Sequence, residues 1–195
     1  LQEYCSNIFS KVSKNQKNSV YTNRLKILKD KGYEFKEPTE ENFYEQLIQI
    51  GKMILNLYSD FPCYKSISED DFFKMYKDLK KIVDYSMIKL AYYNNQMVGF
   101  FVSIPNYHNY INRKKYISIL IKKMIKKEYI LMYLGVDKNH LGLGRALAEE
   151  IKEELKAKRA SSIGALIKKG NANRAYFKEL ITREDNYILY EKIFN

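Results

Sequence analysis

The sequence predicts an α/β (α+β) fold, in which amphipathic helices and short strands follow one another along a chain of 195 residues. Three segments carry this prediction. Apolar residues recur every three or four positions from Phe43 to Tyr58, which is typical of an amphipathic helix. Two apolar segments flank Asn94-Asn95, as in a β-hairpin. The apolar stretch Tyr129 to Val136 has the length of a buried strand, and a glycine-containing turn follows it.

Composition places the chain among globular proteins. Hydrophobic residues make up 46% and charged residues 29%, so the chain can bury enough apolar surface to fold. No apolar stretch reaches the ~20 residues that a membrane-spanning helix needs. The two cysteines, Cys5 and Cys63, are predicted to be reduced thiols. We therefore expect a cytoplasmic protein without a membrane span.

The net charge of the chain is +11, from 34 Lys and Arg against 23 Asp and Glu. Such an excess favours acidic partners, such as phosphates, nucleic acid or anionic lipid. The joint abundance of Lys, Asn, Ile and Tyr, with 18 Tyr and no Trp, is also what a codon bias towards A and T produces. Both explanations of the charge stay open at this point.

The chain is predicted to divide after residue 32. Residues 1–32 carry Lys and Asn with scattered apolar positions, so we expect a polar arm with one short helix. From residue 33 the hydrophobic patterns become regular, and residues 33–195 are expected to form the main domain.

Two helices are predicted before the hairpin. Tyr33 to Phe35 alternates like a short strand, and Thr39 then stands where a helix N-cap is expected. The helix that follows should end before Pro62, because proline cannot continue a helix. Ser68 is predicted to cap a second helix, with Asp71 at capping-box spacing.

The remaining predicted elements are, in chain order, a basic helix over Tyr110 to Lys127, a helix that begins at Gly142, a strand over Ser162 to Lys168, a short helix over Asn171 to Leu180 and a strand over Asn186 to Phe194. In the helix after Gly142, three apolar residues form the buried stripe, namely Leu147, Ile151 and Leu155. Its charged residues are expected to face solvent: Glu149, Glu150, Glu153, Glu154, Lys156 and Lys158.

The buried strand, the glycine-containing turn and the helix after it are the most informative feature of the chain. Glycine at positions 142 and 144 lets backbone N–H groups approach a ligand, and the N-terminus of a helix favours phosphate. Arg145 in the first turn adds a cation. The pattern therefore predicts a diphosphate site. It is neither a Walker A loop nor a complete dinucleotide fingerprint.

The order of these elements resembles the GNAT superfamily of acyl-CoA-dependent N-acetyltransferases. The segment Leu134 to Ile151 (LGVDKNHLGLGRALAEEI) is similar to the family's strand, its Gln/Arg-x-x-Gly-x-Gly/Ala loop and its helix. The segment Asn171 to Tyr176 (NANRAY) is similar to the family's Asn-led helix, and Val98-Gly99 fits its hairpin. The resemblance covers residues 33–195 and implies a mixed, mostly antiparallel sheet flanked by helices.

The resemblance implies acetyl-CoA as the co-substrate and no metal. Backbone groups of the strand would pair with the pantetheine arm, as an added strand does. The loop would hold the diphosphate through its backbone amides, and a later asparagine would bond the pantetheine amide. The residues at these positions are Leu134, Gly135 and Val136 for the strand, Asn139, Leu141, Gly142, Leu143, Gly144 and Arg145 for the loop, and Asn171 for the amide. Asn139 departs from the family pattern, which has Gln or Arg there.

The resemblance implies a catalytic role for Tyr176, which would protonate the departing thiolate. Members of the family often carry a glutamate on the central strand as the base. Here the strand offers only Tyr133 as an interior polar residue, a candidate for the base or for a substrate hydrogen bond. His108 and His140 are interpreted as loop residues facing solvent, and Cys63 has no partner histidine at a recognisable spacing.

We therefore predict an N-acetyltransferase that moves an acetyl group from acetyl-CoA to a primary amine by direct attack, the amine belonging to a small molecule or a peptide. A first alternative is a non-catalytic acyl-CoA-binding module, because the strand carries no carboxylate in its interior. A second alternative is a basic protein that binds nucleic acid or membrane through Lys122, Lys123, Lys126 and Lys127. Under the leading prediction we expect no nucleic-acid partner.

Overall fold

The structure is a computed structural model, and it describes residues 2–13, 19–58, 67–107, 127–168, 170 and 176–190. The strands are β1 (Gln2–Phe9), β2 (Glu34–Lys36), β3 (Ile88–Tyr93), β4 (Gln96–Pro105), β5 (Glu128–Val136), β6 (Ser161–Gly164), β7 (Ile167–Lys168) and β8 (Ile181–Leu189). The α-helices in these residues are α1 (Ser19–Asp30), α2 (Phe43–Leu57), α3 (Glu69–Tyr76) and α4 (Leu143–Lys158).

The strands form one mixed sheet in the order β2-β3-β4-β5-β6-β1, in which β7 and β8 also pair with β1. The β5–β6 pair is parallel, from Glu128 opposite Ser161 to Leu131 opposite Gly164. The pairs β2–β3 and β3–β4 and those that β1 forms with β6, β7 and β8 are antiparallel. The mixed, mostly antiparallel sheet with its helices confirms the predicted fold class.

The chain forms two compact units. We call residues 17–104 and 133–154 the central unit, and residues 1–16, 105–132 and 155–195 the terminal unit. The main hydrophobic cluster of the central unit joins α2 and α3 to β3 and β4. Its buried members are Phe43, Leu47, Ile50, Ile54, Phe72, Val83, Ile88, Leu90, Phe100 and Val102.

The two predicted helices before the hairpin are present, with one start shifted. Ser68 caps α3 as predicted, since its side chain accepts a hydrogen bond from the Asp71 N–H at 3.1 Å. Helix α2 begins at Phe43 rather than directly after Thr39. Thr39 and Asn42 instead close a turn, in which the Thr39 N–H donates to the Asn42 side chain at 2.7 Å.

The hairpin of β3 and β4 turns at the two predicted residues. Asn94 and Asn95 have φ of 50° and 63°, and asparagine tolerates this left-handed region better than most residues do. The ladder continues to Ile88 opposite Val102, with a bulge between Ala91 and Tyr92.

The terminal unit corrects the prediction for the start of the chain. Gln2–Phe9, expected as a polar arm, forms strand β1, which pairs with β6 and β7 on one edge and with β8 on the other. Cys5 of this strand is buried. Strand β8 begins at Ile181, five residues before the predicted start, and the predicted strand 162–168 is divided into β6 and β7.

Helix α4 buries its predicted stripe, because Leu147, Ile151 and Leu155 are 0%, 0% and 1% exposed. The prediction that Glu149 faces solvent is wrong, since only 3% of it is exposed. Lys152 is also buried. Helix α1 covers this polar part of α4, as shown by a 2.7 Å hydrogen bond from the Thr22 hydroxyl to Glu149.

Several predicted features lie outside the described residues. They are the basic helix of residues 110–127 with its lysines, His108, Cys63, Asn171 and most of the Asn-led helix.

Candidate functional site

The turn between β5 and α4 is held by hydrogen bonds within the central unit. The Asp137 N–H donates to the Val98 carbonyl of β4 at 2.9 Å. The Asp137 side chain then accepts from the Asn139 N–H at 3.0 Å, and its carbonyl accepts from the His140 N–H at 3.0 Å. Asp137 therefore shapes the loop, a role that the sequence analysis did not assign to it.

The start of α4 presents backbone N–H groups without partners. Leu143 and Arg145 donate their N–H groups to carbonyls of the turn, at 3.2 Å each. Within the described residues, the N–H groups of Leu141, Gly142 and Gly144 have no acceptor. Such groups at a helix N-terminus are suited to an anion, because the helix dipole adds partial positive charge there.

Gly142 has a conformation that favours glycine. Its φ is +82°, and a Cβ at this position would lie 2.7 Å from Nε of Arg24, in α1. Any other residue would therefore be strained and would also displace the arginine. Arg24 is a functional candidate that the sequence analysis missed, because no local pattern connects α1 with this loop.

The loop side chains predicted to contact a cofactor differ in exposure. Leu143 is fully buried, whereas Leu141 is 86% exposed. Asn139 and Arg145 are exposed as well. The buried leucine anchors the loop to the core, and the exposed residues leave the outer side of the loop accessible.

The second half of β5 is packed closely at Gly135. A Cβ at Gly135 would lie 2.4 Å from the ring of Phe100 and 2.9 Å from Leu57. At the preceding residue, the Leu134 carbonyl accepts a hydrogen bond from the Tyr58 hydroxyl at 3.0 Å. The absence of a side chain at position 135 thus lets the Phe100 ring pack directly against the strand.

Three tyrosines meet beside this part of β5. The hydroxyl groups of Tyr133 and Tyr76 are 3.2 Å apart, and the ring of Tyr58 packs edge-on against that of Tyr133, with centroids 6.1 Å apart. Burial raises the pKa of the Tyr58 hydroxyl. Tyr133 was predicted as a candidate site residue. Tyr58 and Tyr76 were missed, because their helical spacing indicates core residues.

The sequence analysis expected His140 to face solvent, but the structure partly buries it against two tyrosines. Its Nδ1 lies 2.7 Å from the Tyr33 hydroxyl, and its ring packs edge-on against Tyr33 and Tyr93, which stack on each other at 4.5 Å. Burial, and then the neighbouring Tyr93, raise the pKa of Tyr33. This aromatic cluster fixes the middle of the loop.

The structure brings most of the predicted cofactor residues together, because residues 134–145 are continuous in the central unit. Tyr176 belongs to the terminal unit, where it precedes a 3-10 turn over Lys178–Leu180. Its assigned role and that of Asn171 stay predictions. Among the described residues, no three His, Cys, Asp or Glu form a group able to hold a metal ion. In the same part of the chain, no helix is long and apolar enough to cross a membrane.

Comparison with known proteins gives matches in structure only. No protein-family model matches the sequence, and no curated protein matches it. A possible acetyltransferase from Clostridium difficile 630 is 18% identical, with a TM-score of 0.53, and the match covers 83% of this chain and 99% of that one. An aminoglycoside acetyltransferase from an uncultured soil metagenomic sample, solved with sisomicin, is 14% identical, with a TM-score of 0.53 and coverage of 85% and 99%.

A third similar structure is a fungal multi-domain β-N-acetylglucosaminidase with a GCN5-related glucosamine N-acetyltransferase region. It is 12% identical, with a TM-score of 0.53, and the match covers 95% of this chain and 20% of that one. At these identities the likeness shows the fold. The chain therefore has the fold of the GNAT acetyltransferases, which confirms the resemblance predicted from the sequence.

Proposed function

We propose that the protein is an acetyl-CoA-dependent N-acetyltransferase that transfers the acetyl group to a primary amine by direct attack. The fold supports an acyltransferase. One observation carries the proposal furthest, namely the N–H groups of Leu141, Gly142 and Gly144 at the start of α4, for which the described part of the chain offers no acceptor. They provide donors and partial positive charge for a diphosphate, and the turn that carries them follows the predicted cofactor strand directly.

The residues suit acyl-CoA as the co-substrate. The loop would hold the diphosphate through its unpaired N–H groups, with Asn139, Leu143 and Arg145 completing the loop. Backbone groups of Leu134, Gly135 and Val136 would pair with the pantetheine arm. Asn171 would bond the pantetheine amide, as the resemblance implies. No metal is needed for this chemistry, since a thioester is already activated towards amines.

The proposed reaction needs positioning and two proton transfers. The neutral amine attacks the thioester carbonyl, the C–N bond forms and the C–S bond breaks. The amine then loses a proton and the departing thiolate gains one. We assign Tyr176 as the acid that donates a proton to the departing thiolate. We assign a hydrogen bond to the amine, directly or through water, to Tyr133, whose hydroxyl is oriented by Tyr76 at 3.2 Å.

The acceptor in this proposal is an amine of a small molecule or a peptide. The aromatic wall formed by Tyr58, Tyr76 and Tyr133 supports it, because an ammonium group is attracted to ring faces before it loses its proton. Among similar structures, one is named for aminoglycosides and another for glucosamine, and both are amines. The proposal includes a cytoplasmic location and no nucleic-acid partner.

Calorimetric titration of the purified chain with acetyl-CoA and with CoA tests the cofactor site without knowledge of the acceptor. We pair the wild type with Leu141→Asp, which adds a carboxylate to the exposed side of the loop. Since this leucine is 86% exposed, the change leaves the core intact. The added charge should repel the diphosphate and weaken binding about tenfold. Leu166→Asp is the matched control, because Leu166 is 56% exposed and lies outside the loop.

The outcomes separate the competing functions. One-to-one binding that Leu141→Asp weakens and Leu166→Asp does not would support the cofactor site. A thiol-release assay with a panel of amines then tests turnover. Tight CoA binding without turnover of any amine would favour the non-catalytic acyl-CoA-binding module. Absence of binding at millimolar CoA would overturn the proposal and favour a basic binding protein.

A further inference from the structure

Helix α1 contacts α4, although it precedes the part of the chain whose sequence resembles the acetyltransferases. Three polar contacts fix its position. The Thr22 hydroxyl donates to Glu149 at 2.7 Å, Lys29 pairs with Glu150 at 2.8 Å, and Nζ of Lys152 lies 6.0 Å from the Tyr21 ring centroid. With two of these α4 residues buried, α1 is an integral part of the central unit.

This position of α1 brings the Arg24 side chain onto the glycine-containing turn. A Cβ built at Gly142 would lie 2.7 Å from Nε, 3.0 Å from Cζ and 3.1 Å from Cδ of the arginine. The guanidinium group therefore contacts the backbone of the turn whose N–H groups at Leu141, Gly142 and Gly144 have no acceptor within the described residues.

The charge of Arg24 is unmatched. The side chain is half-buried, and no described residue forms an ion pair or hydrogen bond with it. The two α4 carboxylates that contact α1, those of Glu149 and Glu150, accept hydrogen bonds from Thr22 and Lys29. A partly desolvated cation without a counterion is unfavourable, and here it adjoins further unpaired donors. The Arg24 guanidinium and the N–H groups of the turn are all donors that suit an anion with several oxygen atoms.

We propose that Arg24 binds the diphosphate of acyl-CoA together with the N–H groups of the turn. This inference rests on the proposed function and adds to it a cationic residue from α1, which precedes the segment whose sequence resembles the family. Arginine suits the role because its planar group donates to two phosphate oxygens at once and keeps its charge at every physiological pH. Helix α1 then belongs to the cofactor site, and its contacts with α4 position the arginine.

The test compares ligands that differ in their phosphates. CoA carries the diphosphate and a 3′-phosphate, dephospho-CoA carries the diphosphate alone, and pantetheine carries no phosphate. Binding of CoA and dephospho-CoA is measured by calorimetry, and binding of pantetheine by ligand-observed NMR. Arg24→Ala should weaken CoA and dephospho-CoA equally, by about 10- to 100-fold, because a hydrogen bond to a charged group is lost. Pantetheine should be unaffected.

Two further variants control for charge and geometry. Lys26→Ala removes one positive charge from an exposed position of the same helix and should leave all three affinities unchanged. Arg24→Lys keeps the charge without the planar fork and should recover part of the affinity. Thermal unfolding without ligand checks that each variant is folded.

The results distinguish this inference from the proposed function. If the wild type binds neither CoA nor dephospho-CoA, both the proposed function and the role of Arg24 are refuted. If the wild type binds and Arg24→Ala binds equally well, only the role of Arg24 is refuted. A loss seen with CoA but not with dephospho-CoA would assign Arg24 to the 3′-phosphate instead. A loss that extends to pantetheine would show a structural effect and would overturn the inference.

Discussion

The packing at Gly135 gives a prediction that can be worked out from the structure. In Gly135→Ala, the new methyl group would meet Cε1 and Cζ of Phe100 at 2.4 and 2.5 Å and Leu57 at 2.9 Å. Real Cβ contacts are not this short, and Phe100 is fully buried, so its ring cannot move without displacing other core residues. Overpacking of this kind costs about 1–3 kcal/mol. For a chain of this size, a loss of about 2 kcal/mol lowers Tm by roughly 4–8 °C.

Thermal and urea unfolding of Gly135→Ala measure this loss. Gly99→Ala is the comparison variant. Its Cβ would meet Leu143, Leu147 and the Gly135 carbonyl at 3.0, 3.2 and 3.3 Å, and because these contacts are longer than those at Gly135, its cost should be smaller. Phe100→Leu removes the ring. In that background Gly135→Ala should cost less, with a coupling of about 1 kcal/mol or more. A Gly135→Ala protein as stable as the wild type, or a strictly additive double variant, would refute the packing argument.

Three other predictions concern single contacts. Ser68→Ala should lower the free energy of unfolding by about 1 kcal/mol, because α3 loses its cap, and the loss should be absent from the conservative Ser68→Thr. Thr22→Val should lower the free energy of unfolding by about 1–3 kcal/mol, since buried Glu149 loses its hydroxyl donor. Urea unfolding measures this loss, and an unchanged urea midpoint would mean that this hydrogen bond does not hold α1 against α4. Burial raises the pKa of Tyr58, so the stability that its neutral form contributes is complete below the unfolded value of about 10 and is lost as the pH rises through the higher folded value. Tyr58→Phe should therefore flatten the fall in stability between pH 9 and 11, and an equally steep fall would contradict the argument.

Local features of the fold were predictable because they depend on neighbours in the sequence. The hairpin turn at Asn94-Asn95 has the positive φ values that its residues favour, and Ser68 caps α3. The apolar stripe of α4 is buried as its spacing predicts. The start of α2 was misplaced by three residues, since Thr39 closes a turn of its own before the helix begins. Strand β1 was missed because its sequence is polar and its strand conformation depends on pairing with β6 and β8, which lie far away in the sequence.

In the candidate site as well, local features were predictable from the sequence and long-range contacts were not. The glycine-containing turn and the strand before it were found from the sequence, since both belong to one continuous segment. The contacts of His140 with Tyr33, and of Tyr133 with Tyr76, join residues more than fifty positions apart, and no local pattern reports them. The burial of Glu149 likewise depends on α1, which covers a helix face that by composition should be exposed.

The sequence by itself determined the fold class, the alternation of helices and strands, and the position of a turn suited to a diphosphate. These follow from side-chain periodicity and from the conformational freedom of glycine, which act over a few residues. Only the tertiary structure decided that Arg24 lies on Gly142 and that three tyrosines meet beside β5. Such contacts form when helices and strands from distant parts of the chain pack together, because burial of their apolar faces fixes which polar groups become neighbours.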